Sequence, residues 1–172
     1  MKNLFLLAIL FFGLNIQAQK TFKIFNYTAN TFVIQDLVTR SFTAPSTYAL
    51  PEFHSKPSPN LTIAPYATYT LLNTSNATRF PFYAPVATGG SLPLINTWER
   101  LTTAGTTVMA GAAAWIIGST QVFYRIQLGF GASSFQIGIA PGTTITSTIG
   151  GVTATYTVSG TIAAPIYTIT IL

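Results

Sequence analysis

The stretch ITSTIGGVTATYTVSG, Ile145–Gly160, decides the fold. On either side of Gly150-Gly151, threonines alternate with Ile, Val, Ala and Tyr. A two-residue alternation marks a strand with one dry and one wet face. Adjacent glycines supply the positive φ that tight hairpin turns require. The stretch therefore predicts a β-hairpin. It lies in a tract from Ile126 to Leu172 that contains no Asp, Glu, Lys, Arg or His. Threonine, a good strand former, takes over the polar face that charged residues usually supply.

Downstream, Ser159-Gly160 marks a second reversal, Pro165 delays the last strand, and YTITIL closes the chain. The expected result is a C-terminal β-meander. Upstream, TQVFYRIQL places Val122, Tyr124, Ile126 and Leu128 on one face and Gln121, Arg125 and Gln127 on the other. That phase puts Phe123 on the polar, partly exposed face. In TTVMAGAAAWIIG the apolar run Val108–Ile117 spans ten residues, half of a membrane helix. It fits a buried strand or a short buried helix, with Trp115 in the core.

At the other end, KTFKIFNY and NTFVIQDLVT are rich in aromatic and β-branched residues and are separated by a short TAN segment. They predict two strands joined as a hairpin. From Arg40 to Asn60 the pattern is broken by Pro45, Pro51, Pro57 and Pro59, which predicts a loop or an irregular edge. LTIAPYATYTLLN returns to strand chemistry, with Thr68 and Thr70 wet and Tyr69 and Leu71 dry. A second irregular stretch runs from Asn73 to Ile95. In NTWER, Asn96 followed by Glu99 resembles a capping pair and predicts one short helical turn.

Many short strands, turn residues and no helical period imply an all-β single domain, an antiparallel β-sandwich of Ig-like or jelly-roll-like type. A membrane barrel needs alternating segments of about ten residues and a polar interior. The prolines and the scarcity of charge argue against one. Uncharged segments free of proline also suit edge-to-edge self-association, so a fibre or surface subunit is the alternative architecture.

The first residues, MKNLFLLAILFFGLNIQAQK, show a positive start at Lys2, an apolar run from Leu4 to Leu14 and a small residue at Ala18. This is the three-part pattern of a secretory signal peptide. The leader resembles those of exported proteins in the Bacteroidota, where Ala-Gln at the cut is frequent. Residues 1–18 are expected to be removed and residues 19–172 to form the single domain. Secretion or a cell-surface or periplasmic location follows, with no membrane span after cleavage. The sequence has no cysteine, so neither a disulfide nor a lipid-bearing cysteine is available.

The net charge of +5 comes from a shortage of acids: only Asp36, Glu52 and Glu99 are present. Arg40, Lys56, Arg79, Arg100 and Arg125 are strung out along the chain, whereas nucleic-acid binders cluster such residues. Nucleic acid is not an expected partner. The single histidine, His54, lies two residues from Glu52, a spacing that shares a face if the segment is a strand. Without a third ligand or a nucleophile motif, no catalytic residue, metal site or cofactor is assigned. His54 is expected on an exposed loop and dispensable. A hydrolase is the third function class. The richer resource is aromatic. Phe80, Phe82 and Tyr83 stand beside Arg79, and Trp98 lies near Arg100. On loops, such plates would bind a glycan or protein surface. These six residues are the candidate site of a non-catalytic binding module. The sequence supports self-association as the other mode of partnership.

Overall fold

The computed structural model describes residues 20–43, 47–55, 61–72, 95, 97–140, 144–161 and 164–172. They form two sheets packed together as an all-β sandwich, the larger wholly antiparallel and the smaller largely so. The strands are β1 (Thr21–Asn26), β2 (Phe32–Thr43), β3 (Thr47–Ser55), β4 (Leu61–Ile63), β5 (Thr68–Leu72) and β6 (Thr97–Thr102). After them come β7 (Gly105–Ala110), a short helix α1 (Gly111–Ile117), a 3-10 turn, β8 (Gln121–Phe130) and β9 (Ser133–Gly138). The chain closes with β10 (Thr146–Ile149), β11 (Val152–Gly160) and β12 (Pro165–Ile171).

The five-stranded sheet runs β10-β11-β12-β1-β5. The other runs β7-β6-β3-β2-β8-β9, with β4 also paired to β2. β10, β11 and β12 are consecutive antiparallel neighbours, the meander expected from their alternation. Gly150 and Gly151 both take positive φ, 59° and 79°, as the tight turn between β10 and β11 demands. β12 then pairs in parallel with β1.

Aromatic rings fill the space between the sheets. Phe22 of β1 stacks on Phe123 of β8 with ring centroids 5.2 Å apart, and Phe123 also meets Tyr156 of β11 at 5.0 Å. Phe32, Phe130 and Phe135 form a second group at the β8–β9 end. Truncating one such buried ring is worth about 3–5 kcal/mol.

Five expectations are corrected by this arrangement. β1 and β2 are not a hairpin: the chain crosses from one sheet to the other between them. The corner is held by Asn26, whose Nδ2 donates to the carbonyls of Asn30 and Ala64 while its Oδ1 accepts from Thr28. The segment after Arg40 is not an edge, since β3 sits between β2 and β6. Pro51 is tolerated because the β2–β3 register jumps from Arg40↔Glu52 to Ser41↔Ala49, so Leu50 and Pro51 have no partner on β2. Phe123 is buried, not partly exposed, because β8 carries an extra residue. The register passes from Val38↔Arg125 to Thr39↔Phe123, and Tyr124 bulges out. Past the bulge the side chains change face. Gly138 fits against it, where a Cβ would stand 2.5 Å from the Tyr124 carbonyl oxygen. The residues after Asn96 form strand β6, not a helical turn. Finally, the apolar run splits into β7 and α1, and Val108 is 70% exposed. The Trp115 side chain and Pro45, Pro57 and Pro59 lie outside what is described.

Candidate functional site

The polar residues gather on two outer faces. On the larger sheet, β2 turns Asp36 and Arg40 outward, β3 turns Glu52 and His54, and β8 turns Arg125. Register brings them together: Arg40 lies opposite Glu52, His54 opposite Val38, and Val38 opposite Arg125. They form a continuous ionic chain. Arg40 Nε bonds Glu52 Oε2, and Glu52 Oε1 lies 2.7 Å from His54 Nε2. His54 Nδ1 lies 2.9 Å from Asp36 Oδ2, which also meets Arg125 Nη2 at 3.2 Å. The Arg40 guanidinium caps the Tyr124 ring at 4.4 Å, and Tyr48 packs against the same ring at 5.5 Å.

The carboxylates set the state of the imidazole. Hydrogen bonds to Asp36 and then to Glu52 raise the His54 pKa to about 9, against the opposing effect of partial burial. At neutral pH His54 is an imidazolium donating one N–H to each carboxylate. Burial works to raise Glu52, but hydrogen bonds from His54 and Arg40 prevail and hold its carboxyl below the usual range. With both nitrogens donating, His54 has no lone pair for a metal and no capacity to take a proton. On β6, Glu99 lies opposite His54 and adds a third carboxylate to the same face. The arrangement is suited to pinning three strands together. His54 therefore stands on strand β3 in a network, and the loop expected from sequence is corrected. Among the described residues, no group of three His, Cys, Asp or Glu side chains could hold a metal ion.

The second face is the outside of the five-stranded sheet. β10 offers Thr146 and Thr148, β11 offers Thr153, Thr155 and Thr157, and β12 offers Thr168 and Thr170. The residues between them on β11 and β12 are buried, so the threonines point away from the core. Register sets them in rows. Thr146 faces Thr155, which faces Thr170; Thr157 faces Thr168; and Thr148 faces Thr153. Thr148 and Thr153 join hydroxyls at 2.9 Å. On β1, Phe25 and Lys23 continue two of the rows, and Thr68 and Thr70 of β5 end them. Among the described residues, Lys23 is the one charged side chain on this face.

Of the six residues singled out from sequence, Arg79, Phe80, Phe82 and Tyr83 lie outside the described residues. Trp98 and Arg100 share one face of β6, opposite Ser55 and Phe53. Trp98 is fully buried, so its indole belongs to the core in this fold and presents no plate to a ligand. Sequence reasoning paired Glu52 with His54 but left out Asp36, Arg40 and Arg125. No sequence spacing reports that β2 and β8 flank one another. No family model, curated protein or solved structure matches this chain.

Among the described residues, no helix is long and apolar enough to cross a membrane.

Proposed function

We propose that the protein is an exported, non-catalytic β-sandwich module that works by surface interaction. The observation that carries this reading is the threonine face of the five-stranded sheet, a regular outward array on three adjacent strands with no charge. Large uniform faces of this kind suit contact with an extended surface better than capture of a small molecule, which needs a concave site with convergent polar groups. The ionic chain on the opposite sheet supports a non-catalytic role, since His54 is committed to two carboxylates. The leader supports export, and the absence of cysteine suits a fold that relies on its core alone. A glycan or protein surface is the partner class. Arg79 and the aromatics Phe80, Phe82 and Tyr83 supply, by composition, a further contact of that type.

A second reading, a self-assembling structural subunit, is favoured by β7. It is the outermost strand of its sheet, carries no charge or proline, and is exposed along most of its length. Edges normally carry charge or proline against such pairing.

The test uses the exported protein, whose intact mass should correspond to a chain starting at Gln19. Wild-type protein should be retained by washed surfaces of the producing cells, and Thr155→Lys should reduce that retention without unfolding the domain. Retention that ignores Thr155→Lys would defeat the threonine-face reading. Sedimentation showing polymers that Val108→Lys dissolves would replace it with the structural subunit.

A further inference from the structure

We propose that the threonine face of β10, β11 and β12 binds ordered water, which makes ice its partner. The proposal rests on the surface-interaction reading above and names the surface.

Each of the three strands carries a Thr-x-Thr repeat, and register aligns the repeats into rows, with Thr146, Thr155 and Thr170 in the central one. Neighbouring strands lie about 4.8 Å apart, and residues two apart along a strand are separated by about 6.8 Å. The threonine side chains therefore leave the sheet on a two-dimensional grid with those two repeats. Water molecules joined by O–H···O bonds of about 2.75 Å form a comparable grid. Tetrahedral bonding places second neighbours about 4.5 Å apart, and the hexagonal stack repeats at eight-thirds of the bond length, about 7.3 Å. Both repeats of the protein grid agree with those of the ice lattice to within about a tenth.

The chemistry agrees with the spacing. A threonine hydroxyl donates one hydrogen bond and accepts others, as a lattice water does. Its β-branch restricts χ1, so the hydroxyls are held in position before any partner arrives. Between β10 and β11 the hydroxyls bond each other, Thr148–Thr153 at 2.9 Å and Thr146–Thr155 at 3.4 Å, which fixes their orientation and draws these two pairs inside the strand spacing. A charged side chain would hold a hydration shell of its own, out of step with a lattice. The face carries none until Lys23 on β1, which bounds the patch opposite Thr168.

Other occupants fit less well. Sugar rings are recognised by aromatic plates and convergent polar groups, and the rows of β10–β12 present neither. Face-to-face packing with a second copy would bury interdigitated apolar side chains, whereas the rows are mostly hydroxyl, with Ile166 and Leu172 only at the two ends of β12. Native twist turns each strand by about 20–25° against its neighbour. The matched patch is thus confined to a few strands, which favours slowing of ice-grain growth over a large depression of freezing.

The experiment takes the full exported chain and measures ice recrystallisation and single-crystal shape against buffer. Wild type should slow grain growth and facet the crystals. Thr155→Lys and Thr170→Lys should lose both effects, while Gln136→Lys, exposed on the other sheet, should keep them. Circular dichroism and thermal unfolding check that each variant is folded. If the lysine variants do not fold, Thr155→Ser and Thr170→Ser decide, since they keep the hydroxyl and drop the methyl. Weaker inhibition supports the proposal, and unchanged inhibition overturns it. Wild-type protein that leaves ice as buffer does also overturns it. In that event, retention on an insoluble neutral polysaccharide, or self-association, that Thr155→Lys removes would preserve the surface-interaction reading with a different partner. Insensitivity of both to Thr155→Lys would remove that reading as well.

Discussion

Moving the protein from pH 6.5 to pH 8 should weaken the fold, and the cause is one proton. In the unfolded chain His54 releases it near 6.5; in the fold Asp36 and Glu52 hold it to about 9. Between these values the native state binds one proton more than the unfolded chain, so stability falls as pH rises. Lys20 acts in the opposite direction. Burial lowers its ammonium to about 8 from 10.5, so above pH 8 the unfolded chain carries the extra lysine proton; this offsets His54 up to about pH 9 and lets stability recover beyond it. The window belonging to His54 alone is therefore 6.5 to 8. At about 1.36 kcal/mol per pH unit, the loss across it is at most about 2 kcal/mol. The His54 side chain is 22% exposed, and screening brings the expected loss to about 1 kcal/mol. Urea unfolding at the two ends of the window should show a lower midpoint at pH 8 with an unchanged m-value. His54→Gln should erase the slope. Wild-type stability that is flat or rising across the window, or a slope that survives in His54→Gln, would refute the coupling.

Two further outcomes follow from packing and backbone geometry. Replacing Gly150 and Gly151 together with valine forces two β-branched residues to positive φ, at about 1–2 kcal/mol each. Thermal unfolding should show the loss and light scattering an increase in aggregation, whereas Gly151→Asn should be tolerated because Asn visits that region. Trp98→Ala should cost about 3–5 kcal/mol, the range for a buried aromatic. A much smaller loss by chemical unfolding would return Trp98 to the candidate ligand contacts.

What could be read in the sequence was local. The meander was legible because Gly150-Gly151 punctuates two runs whose threonines keep step with the pleat. Phe123 was misplaced because alternation was carried straight through Tyr124, and a bulge is one residue that alternation does not announce. Pro51 looked like a strand breaker, yet it falls where β3 skips a register position and owes no hydrogen bond to β2. The pairing of β1 with β12 and the division of β1 and β2 between sheets depend on contacts across nearly the whole chain. Glu52 and His54 were visible as neighbours two apart. Asp36, eighteen residues from His54, became visible only once β2 lay beside β3. The threonine rows needed both kinds of information: alternation gave each strand its wet face, and register aligned the strands.

The parallel seam between β1 and β12 sets the order in which the molecule can assemble. β1 comes first among the described strands, yet one of its two neighbours in the sheet, β12, is the last of them. Parallel neighbours need a long crossover, and here the crossover includes the entire seven-stranded sheet. Such distant pairings close slowly. A chain made from its first residue onward would present β1 long before the strand that completes its sheet. The smaller sheet can be sealed only when Ile171 emerges. Loss of β12 would divide that sheet into two unconnected hairpin-sized pieces, β1 with β5 and β10 with β11. The last seven-residue strand is thus the clasp of the whole sandwich.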